Sequence, residues 1–157
     1  MIKETKYWVI VVTLPVNLES DSFRFYKTLH EDVLIKPDKY NQWDIQFENG
    51  DWVNVTGQDS LHNAICIAIM TRFQELDMPL YKDFGCRIHE LIKENVGTMH
   101  SYKMELFIED VLKSMRRIHT INEITVEDHV ENEICKHRIH FSVTSISDEL
   151  IEGSVEV

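Results

Sequence analysis

The sequence has 157 residues, 43% of them apolar, which suits one domain that buries roughly 68–70% of the surface exposed by its unfolded chain. With 27 acidic and 16 basic side chains the formal net charge is −11, so we expect no nucleic-acid partner, because phosphate backbones repel such a surface. Three cysteines without paired spacing argue against a disulfide framework. No apolar run approaches the ~20 residues that span a bilayer, so we expect a soluble protein made in a cytoplasm, with no membrane partner.

Residues 1–42 are predicted to form an N-terminal extension that contains strands. Tyr7–Leu14 is β-branched and aromatic, which favours a strand. Phe23–Tyr26 is a weaker strand candidate, and the pattern from Glu31 to Asn41 is poor. The main domain is predicted to cover residues 43–157, and the two parts are expected to form one continuous globular unit.

A β-hairpin is predicted around Asn49-Gly50. Trp43–Phe47 alternates apolar and polar residues, and Trp52–Val55 returns after the turn. Asn-Gly accepts the positive φ angles that a type I′ turn requires. The two segments are therefore expected to pair with each other.

Three helices are predicted after the hairpin. The first, about Ser60–Phe73, is apolar nearly all round, which is typical of a helix buried on most sides. A second is predicted over roughly Cys86–Glu94. A third, about Met99–Arg117, carries an apolar stripe that includes Met104, Ile108 and Val111 at helical spacing.

The chain then changes to a strand period, with strands predicted near Ile121–Val130, Ile134–Val143 and Leu150–Val157. The predicted fold class is therefore α+β. We expect three helices packed on antiparallel β-strands, with an N-terminal hairpin and a C-terminal β-meander.

The patterns that could indicate a nucleotide or metal site are weak. Asp83-Phe84-Gly85 has the letters of the kinase metal-binding triplet, but the chain has no glycine-rich nucleotide loop and no catalytic loop. Cys135, His137 and His140 are close in sequence, yet on a strand His140 points away from the other two. A tetrahedral metal site needs convergent ligands. We expect no cofactor and no metal.

Two patterns could indicate hydrolytic chemistry. Cys86 and His89 are spaced to approach one another on a helix, which suggests a thiol nucleophile. Nothing nearby orients the base, so a buried cysteine acting as a small hydrophobe is favoured. Carboxylates that could pair for glycoside hydrolysis occur at Glu75, Asp77, Glu105 and Glu109. A chain with 27 acidic residues has such pairs by default.

Arg72 and Arg117 each lie near the C-terminal end of a predicted helix. A cation there interacts favourably with the helix dipole, by roughly 0.3–1 kcal/mol. The alternative is a guanidinium that clamps a carboxylate or a backbone carbonyl of a partner. The sequence leaves both interpretations open.

Residues at the joints between the predicted elements resemble a known family. Trp43-Asp44-Ile45 precedes the hairpin, Gly57 and Leu61 open the first helix, and Met115–Ile118 precedes the closing strands. Between them lie Thr71-Arg72, Glu75, Pro79 and Phe84-Gly85. From about Asp44 to the C-terminus, this order resembles the baseplate-wedge and sheath-initiator family of contractile phage tails. That lysozyme-like baseplate protein family has relatives in type VI secretion baseplates and phage-derived injection machines.

The chain departs from the family pattern at two places. Gln74 stands where many relatives have glycine. Of the motif before the closing strands, Arg117 is kept, while the acidic residue and the proline are absent.

The resemblance implies a non-enzymatic structural protein of the virion tail baseplate, assembled in the host cytoplasm as part of a hetero-oligomer. The implied partners are baseplate wedge proteins and the tail sheath protein; the tail tube or hub is left open as a further partner. Family members present their closing strands to the first sheath subunit, which completes the sheet. The interface is expected to include Thr71, Arg72, Glu75, Phe84, Gly85, Arg117, Leu150 and Val155.

This docking mode predicts that deletion from Leu150 onward leaves a foldable domain that does not recruit sheath. Two other classes of function remain as alternatives. A peptidoglycan-degrading, lysozyme-like tail enzyme, an activity historically attached to the family's name, needs one carboxyl with a raised pKa and another held ionised. An unrelated cytosolic binding module is the other.

Overall fold

The computed structural model describes residues 31–38, 42–76, 81–91, 98–131 and 134–157. The strands and helices in chain order are β1 (Glu31–Val33), β2 (Ile35–Pro37), β3 (Trp43–Ile45), β4 (Phe47–Glu48), β5 (Asp51–Trp52), β6 (Asn54–Thr56), α1 (Gly57–Met70), a 3₁₀ helix (Arg87–Leu91), α2 (Thr98–Ser114), β7 (Ile118–Glu131), β8 (Ile134–Ser145) and β9 (Leu150–Glu156). The strands predicted at Tyr7–Leu14 and Phe23–Tyr26 lie outside the described residues.

The largest sheet is antiparallel and has the strand order β7-β8-β9. Alternate residues of a strand point to opposite faces, and on β8 and β9 the apolar set points to one of them. Its buried members are Ile139, Phe141, Val143, Ile151 and Val155. This face packs against the helices, with α2 against β7 and α1 against β9.

Helices α1 and α2 complete the core. In α1 the spacing of Leu61, Ile65 and Ile69 places them on one face, and all three are buried. The corresponding buried face of α2 carries Met104, Ile108 and Leu112. Fully burying a side chain of this size contributes about 1.5–3 kcal/mol, so these two stripes anchor the helices on the sheet. No described helix combines the length and the apolarity needed to cross a bilayer.

The expectation of three helices packed on the sheet is wrong. The described residues contain two α-helices, and the predicted helix at Cys86–Glu94 is a five-residue 3₁₀ helix, Arg87–Leu91. Its two buried apolar residues are Ile88 and Leu91. Spacing of three aligns side chains when there are 3.0 residues per turn, so this short segment buries them without an α-helix. The chain remains a mixed α/β protein.

The hairpin prediction is right at the turn and wrong in the arms. Asn49 and Gly50 have φ angles of 52° and 85°, as a type I′ turn requires, and β4 pairs with β5 across them. However, β3 pairs with β2, and β6 pairs with β1. The segment with a poor sequence signal therefore supplies both partners, and these two strands lie within the stretch assigned to the extension.

These three small ladders meet at a closed ring of backbone hydrogen bonds. The N–H of Leu34 donates to the carbonyl of Val53 (2.8 Å), that of Val53 donates to Gln46 (2.9 Å), and that of Gln46 donates to Leu34 (2.9 Å). Each residue gives one bond and receives one. The ring fixes the base of the β4–β5 hairpin relative to β1 and β2.

Candidate docking surfaces

The end of α1 and the Phe-Gly segment form one compact unit, called here the corner and comprising residues 71–76 and 81–86. Thr71 ends the helix: its N–H and its hydroxyl both bond to the carbonyl of Ile67, at 2.9 and 2.7 Å. Arg72 then forms a parallel bridge with Cys86. The helix stops at Met70, short of the predicted Phe73, because the following residues pair with the Phe-Gly segment.

Three backbone hydrogen bonds hold the two halves of the corner together. The N–H of Cys86 donates to the carbonyl of Thr71 (2.8 Å), and that of Phe73 donates to the carbonyl of Cys86 (3.0 Å). The N–H of Gln74 donates to the carbonyl of Phe84 (3.3 Å). Residues ten to fifteen positions apart in sequence thus lie in direct contact.

Gly85 permits this close approach. Its φ angle is 102°, and a Cβ atom built there lies 2.5 Å from the carbonyl oxygen of Arg72. It also lies 2.8 Å from the carbonyl oxygen of Thr71. Both the backbone angle and the space exclude a side chain, so the glycine of the Phe-Gly signature has a structural cause.

Glu75 closes the tight turn that follows Thr71. Its carboxylate accepts the N–H of Arg72 at 3.1 Å, and its own N–H donates to the Arg72 carbonyl at 3.0 Å. Within this turn Gln74 has a φ of 61°, a left-handed angle that glycine adopts without cost. The glycine that the resembling family often has at this position therefore has a physical reason, and this chain tolerates the angle with glutamine.

The corner is anchored to the core by aromatic packing. Phe84 packs against the buried cluster, and its ring meets that of Tyr81 edge to face at 6.1 Å. The Arg72 side chain is exposed at the surface of the corner and lies beyond the last helical turn. The structure therefore brings five of the predicted interface residues together: Thr71, Arg72, Glu75, Phe84 and Gly85.

Arg117 lies at the other end of α1. Its guanidinium donates to the carbonyl of Gly57 (3.0 Å) and to the hydroxyl of Ser60 (3.3 Å). The Arg117 carbonyl accepts the N–H of Ile146 at 2.9 Å. Partial burial lowers the pKa of Arg117, opposed by the nearby charge of Asp32. The guanidinium thus ties the start of α1 to the start of β7, and the 14-residue helix separates it from Arg72 by roughly 20 Å.

The two predicted interface residues on β9 occupy different environments. Leu150 is exposed at the start of the strand, whereas the side chain of Val155 is 1% exposed and belongs to the core. A partner can reach the strand near Val155 only through neighbouring residues, not through this side chain.

The outer edge of β9 presents backbone groups that no described strand pairs. His137 and Val157 exchange two backbone hydrogen bonds of 2.9 Å, which sets the parity of the β8–β9 ladder. In an antiparallel pair the residues alternate between facing the partner and facing away. The N–H and C=O groups of Leu150, Glu152 and Ser154 therefore point outward, and their side chains are exposed.

A cleft of about 430 Å³ lies beside this edge. Its lining includes Ser154 and Glu156 of β9 and residues of β2 and β3, among them Ile35, Pro37 and Trp43. An added strand lies about 4.7–4.9 Å from its neighbour in a sheet. The position of the cleft leaves room for an extended segment alongside the end of β9.

Asn63 is a residue that sequence reasoning missed. It is buried in α1, and its amide oxygen accepts the N–H of Ile35 at 2.9 Å. Its amide nitrogen donates to the carbonyl of Val33 (3.0 Å) and to a carboxylate oxygen of Asp32 (3.3 Å). A polar residue within the apolar pattern of a helix was the available signal, because a buried amide requires partners.

The candidate catalytic thiol does not meet its base. Cys86 is buried, and burial raises the pKa of its thiol, which disfavours the nucleophilic thiolate. The His89 ring nitrogen Nε2 lies 3.2 Å from the carbonyl oxygen of Met70. Burial likewise raises the pKa of Cys66, to about 12.

The candidate metal ligands do not converge within the described residues. His137 pairs with Asp128 (Nδ1 to Oδ1, 2.7 Å), while His140 points to the other sheet face. No cluster of three or more metal-binding side chains occurs in the part of the chain that the structure describes. Glu109 forms an ion pair with Lys113 at 2.7 Å. Glu75 lies in the corner. Asp77 and the side chain of Cys135 are not among the parts of the chain that the structure describes.

Comparison with known proteins finds no matching family model and no matching curated protein. Among solved structures, the fold is similar to that of a protein from Geobacter sulfurreducens whose 1.44 Å crystal structure is described as a "putative tail lysozyme". The TM-score is 0.57 with 19% sequence identity, and the match covers 67% of this chain and 93% of that one. A likeness at this identity establishes a shared fold.

Proposed function

We propose that this chain is a structural component of a contractile tail baseplate that joins the wedge to the first sheath ring. In this proposal it docks sheath by β-strand augmentation at β9 and makes or breaks no bond. The fold shared with a protein described as a tail lysozyme supports a tail-related role. The residues that resemble the wedge and sheath-initiator signature support the more specific assignment.

The observation that carries the proposal is the outward edge of β9. An edge strand offers its backbone groups to any extended segment, and recognition by strand addition takes its affinity from main-chain hydrogen bonds. The groups of Leu150, Glu152 and Ser154 face outward, and the cleft beside Ser154 gives space for an incoming strand.

A single proline tests the proposal. Ser154→Pro removes an N–H that points away from β8, so the internal ladder keeps its bonds, and proline is tolerated on edge strands. We expect the variant to fold but to capture the sheath protein at least about tenfold less well, since one lost donor and a blocked ladder cost upwards of 1.4 kcal/mol. The measurement is co-purification of tagged chain with co-expressed sheath.

The matched control is Ser154→Ala, which keeps the N–H and should capture sheath like the natural chain. Equal capture by the proline and alanine variants, with both folded by circular dichroism, would refute docking at this edge. Deleting β9 is a poorer test than the sequence suggested, because Ile151 and Val155 are buried and their loss opens the core.

A cell-wall hydrolase is the second candidate, favoured by a cavity of about 430 Å³ on the open face of the sheet. It is lined by Glu123 on β7 and Glu152 on β9, with Ser142 of β8 between them. Two strand spacings separate their backbones by about 9–10 Å, near the carboxyl separation of roughly 6.5–9.5 Å in inverting glycosidases.

A turbidity assay on purified peptidoglycan separates the two functions. If the protein is structural, the natural chain should reduce the turbidity of the peptidoglycan suspension no more than the variants Glu123→Gln and Glu152→Gln do. Clearing by the natural chain that either substitution abolishes would establish the hydrolase instead.

A further inference from the structure

The β4–β5 hairpin exposes a pair of large aromatic side chains. Phe47 and Trp52 lie directly opposite each other in the ladder, and they are 65% and 57% exposed. Ile45, just before the hairpin, is also exposed. A cluster of apolar side chains on the surface marks an interaction site more often than scattered single residues do. Residues 46–53 are called here the aromatic hairpin.

The aromatic hairpin is held in one orientation before any partner binds. At its base, Gln46 and Val53 belong to the ring of hydrogen bonds closed by Leu34. At its tip, the type I′ turn at Asn49-Gly50 has the φ angles that match the strand twist. A rigid element loses little conformational entropy on binding, which favours affinity.

Both charged residues of the aromatic hairpin are acidic. Glu48 and Asp51 are directly opposite each other at the tip, and like charges in that position destabilise a ladder. Asp44 on β3, by contrast, lies directly opposite Lys36 of β2. Asp51 accepts the N–H of Trp52 at 2.9 Å, and because side chains alternate along a strand, the two carboxylates point to the face opposite the two rings. A partner with an apolar wall on one face of the hairpin and cationic side chains on the other would satisfy both features.

We propose that the aromatic hairpin inserts into an apolar pocket bordered by lysine and arginine side chains on the wedge protein. This inference rests on the proposed function, since a protein that joins two components needs a second surface besides the β9 edge. A second copy of this chain fits poorly, because a two-fold contact would bring four carboxylates together. Nucleic acid and anionic lipid are disfavoured by the same repulsion.

The test uses the full chain, tagged and co-expressed with the wedge protein and, separately, with the sheath protein of the same genome. The double variant Phe47→Ser with Trp52→Ser should capture the wedge protein at least about tenfold less well, since buried aromatic anchors dominate interface energies. Capture of sheath should not change. A matched control is Tyr102→Ser, which removes an aromatic side chain that is 55% exposed on α2 and should leave both captures unchanged.

A second variant separates charge from hydrophobic contact. The double variant Glu48→Lys with Asp51→Lys keeps the aromatic pair but reverses the charge, and it should capture the wedge protein less well. Capture of the wedge protein by the natural chain should also fall when salt is added, because salt screens exposed charges. If both hairpin variants still capture the wedge protein, or if the natural chain captures sheath but not wedge, the inference about the hairpin is wrong while the proposed docking of sheath still stands. Loss of self-association by light scattering in the serine variant would identify a second copy as the occupant. A natural chain that captures neither partner would remove the proposed function as well.

Discussion

Gly85→Ala is expected to destabilise the protein by about 3 kcal/mol. A left-handed backbone angle costs a non-glycine residue roughly 1–2 kcal/mol, and overpacking adds about 1–3 kcal/mol. Here the added Cβ would lie 2.5 Å from the carbonyl oxygen of Arg72, a backbone atom of the corner that cannot turn aside as a side chain can. The measurement is the free energy of unfolding from urea denaturation.

Gly50→Ala is the matched control for this prediction. Gly50 has a similar positive φ of 85°, but a Cβ built there meets no atom within 4 Å. It should therefore cost only the backbone term, about 1 kcal/mol. The difference between the two variants isolates the clash within the corner; equal losses would show that the two halves of the corner do not approach as closely as described.

Asn63→Ala is expected to cost about 2–4 kcal/mol. The substitution removes an amide that bonds the N–H of Ile35 and the carbonyl of Val33. Leaving such groups without partners costs roughly 1–3 kcal/mol each when they are buried. The loss should appear in urea denaturation and as faster amide hydrogen exchange in β1 and β2, since these strands are joined to α1 through this side chain.

Asn54→Ala provides the comparison, because its amide donates to the Glu31 carboxylate at 3.0 Å but is exposed. Water replaces that bond, so the expected change is within about 0.5 kcal/mol. Asn63→Asp keeps the shape of the side chain but lacks the N–H donors of the amide. At neutral pH it should lower the free energy of unfolding about as much as Asn63→Ala does. A stable Asn63→Ala variant with unchanged exchange in β1 and β2 would contradict the proposed link between these strands and α1.

Local sequence determined the elements whose physics is local. The Asn49-Gly50 turn follows from the ease with which these residues adopt positive φ. The largely apolar pattern of α1 follows from burial on most sides, and the alternation along β8 and β9 follows from one buried sheet face. Within the corner, the order Thr71, Glu75, Phe84, Gly85 carried the resemblance, and the structure gives Gly85 a steric cause.

Only the tertiary structure decided which segments pair. Residues 31–37 have a poor strand pattern, yet they pair with β6 and β3 in place of the expected pairing of the hairpin arms. Asn63, 28 positions away from Ile35, bonds the N–H of that residue and so joins these strands to α1. Within the predicted helix Cys86–Glu94, the described residues form the 3₁₀ helix Arg87–Leu91, directly after Cys86, whose N–H is bonded to Thr71. Arg117 bonds Gly57, 60 positions earlier. Propensity acts over a few neighbours, whereas contacts between distant residues depend on the packing of the whole chain, and here those contacts fixed the corner, the β9 edge and the aromatic hairpin.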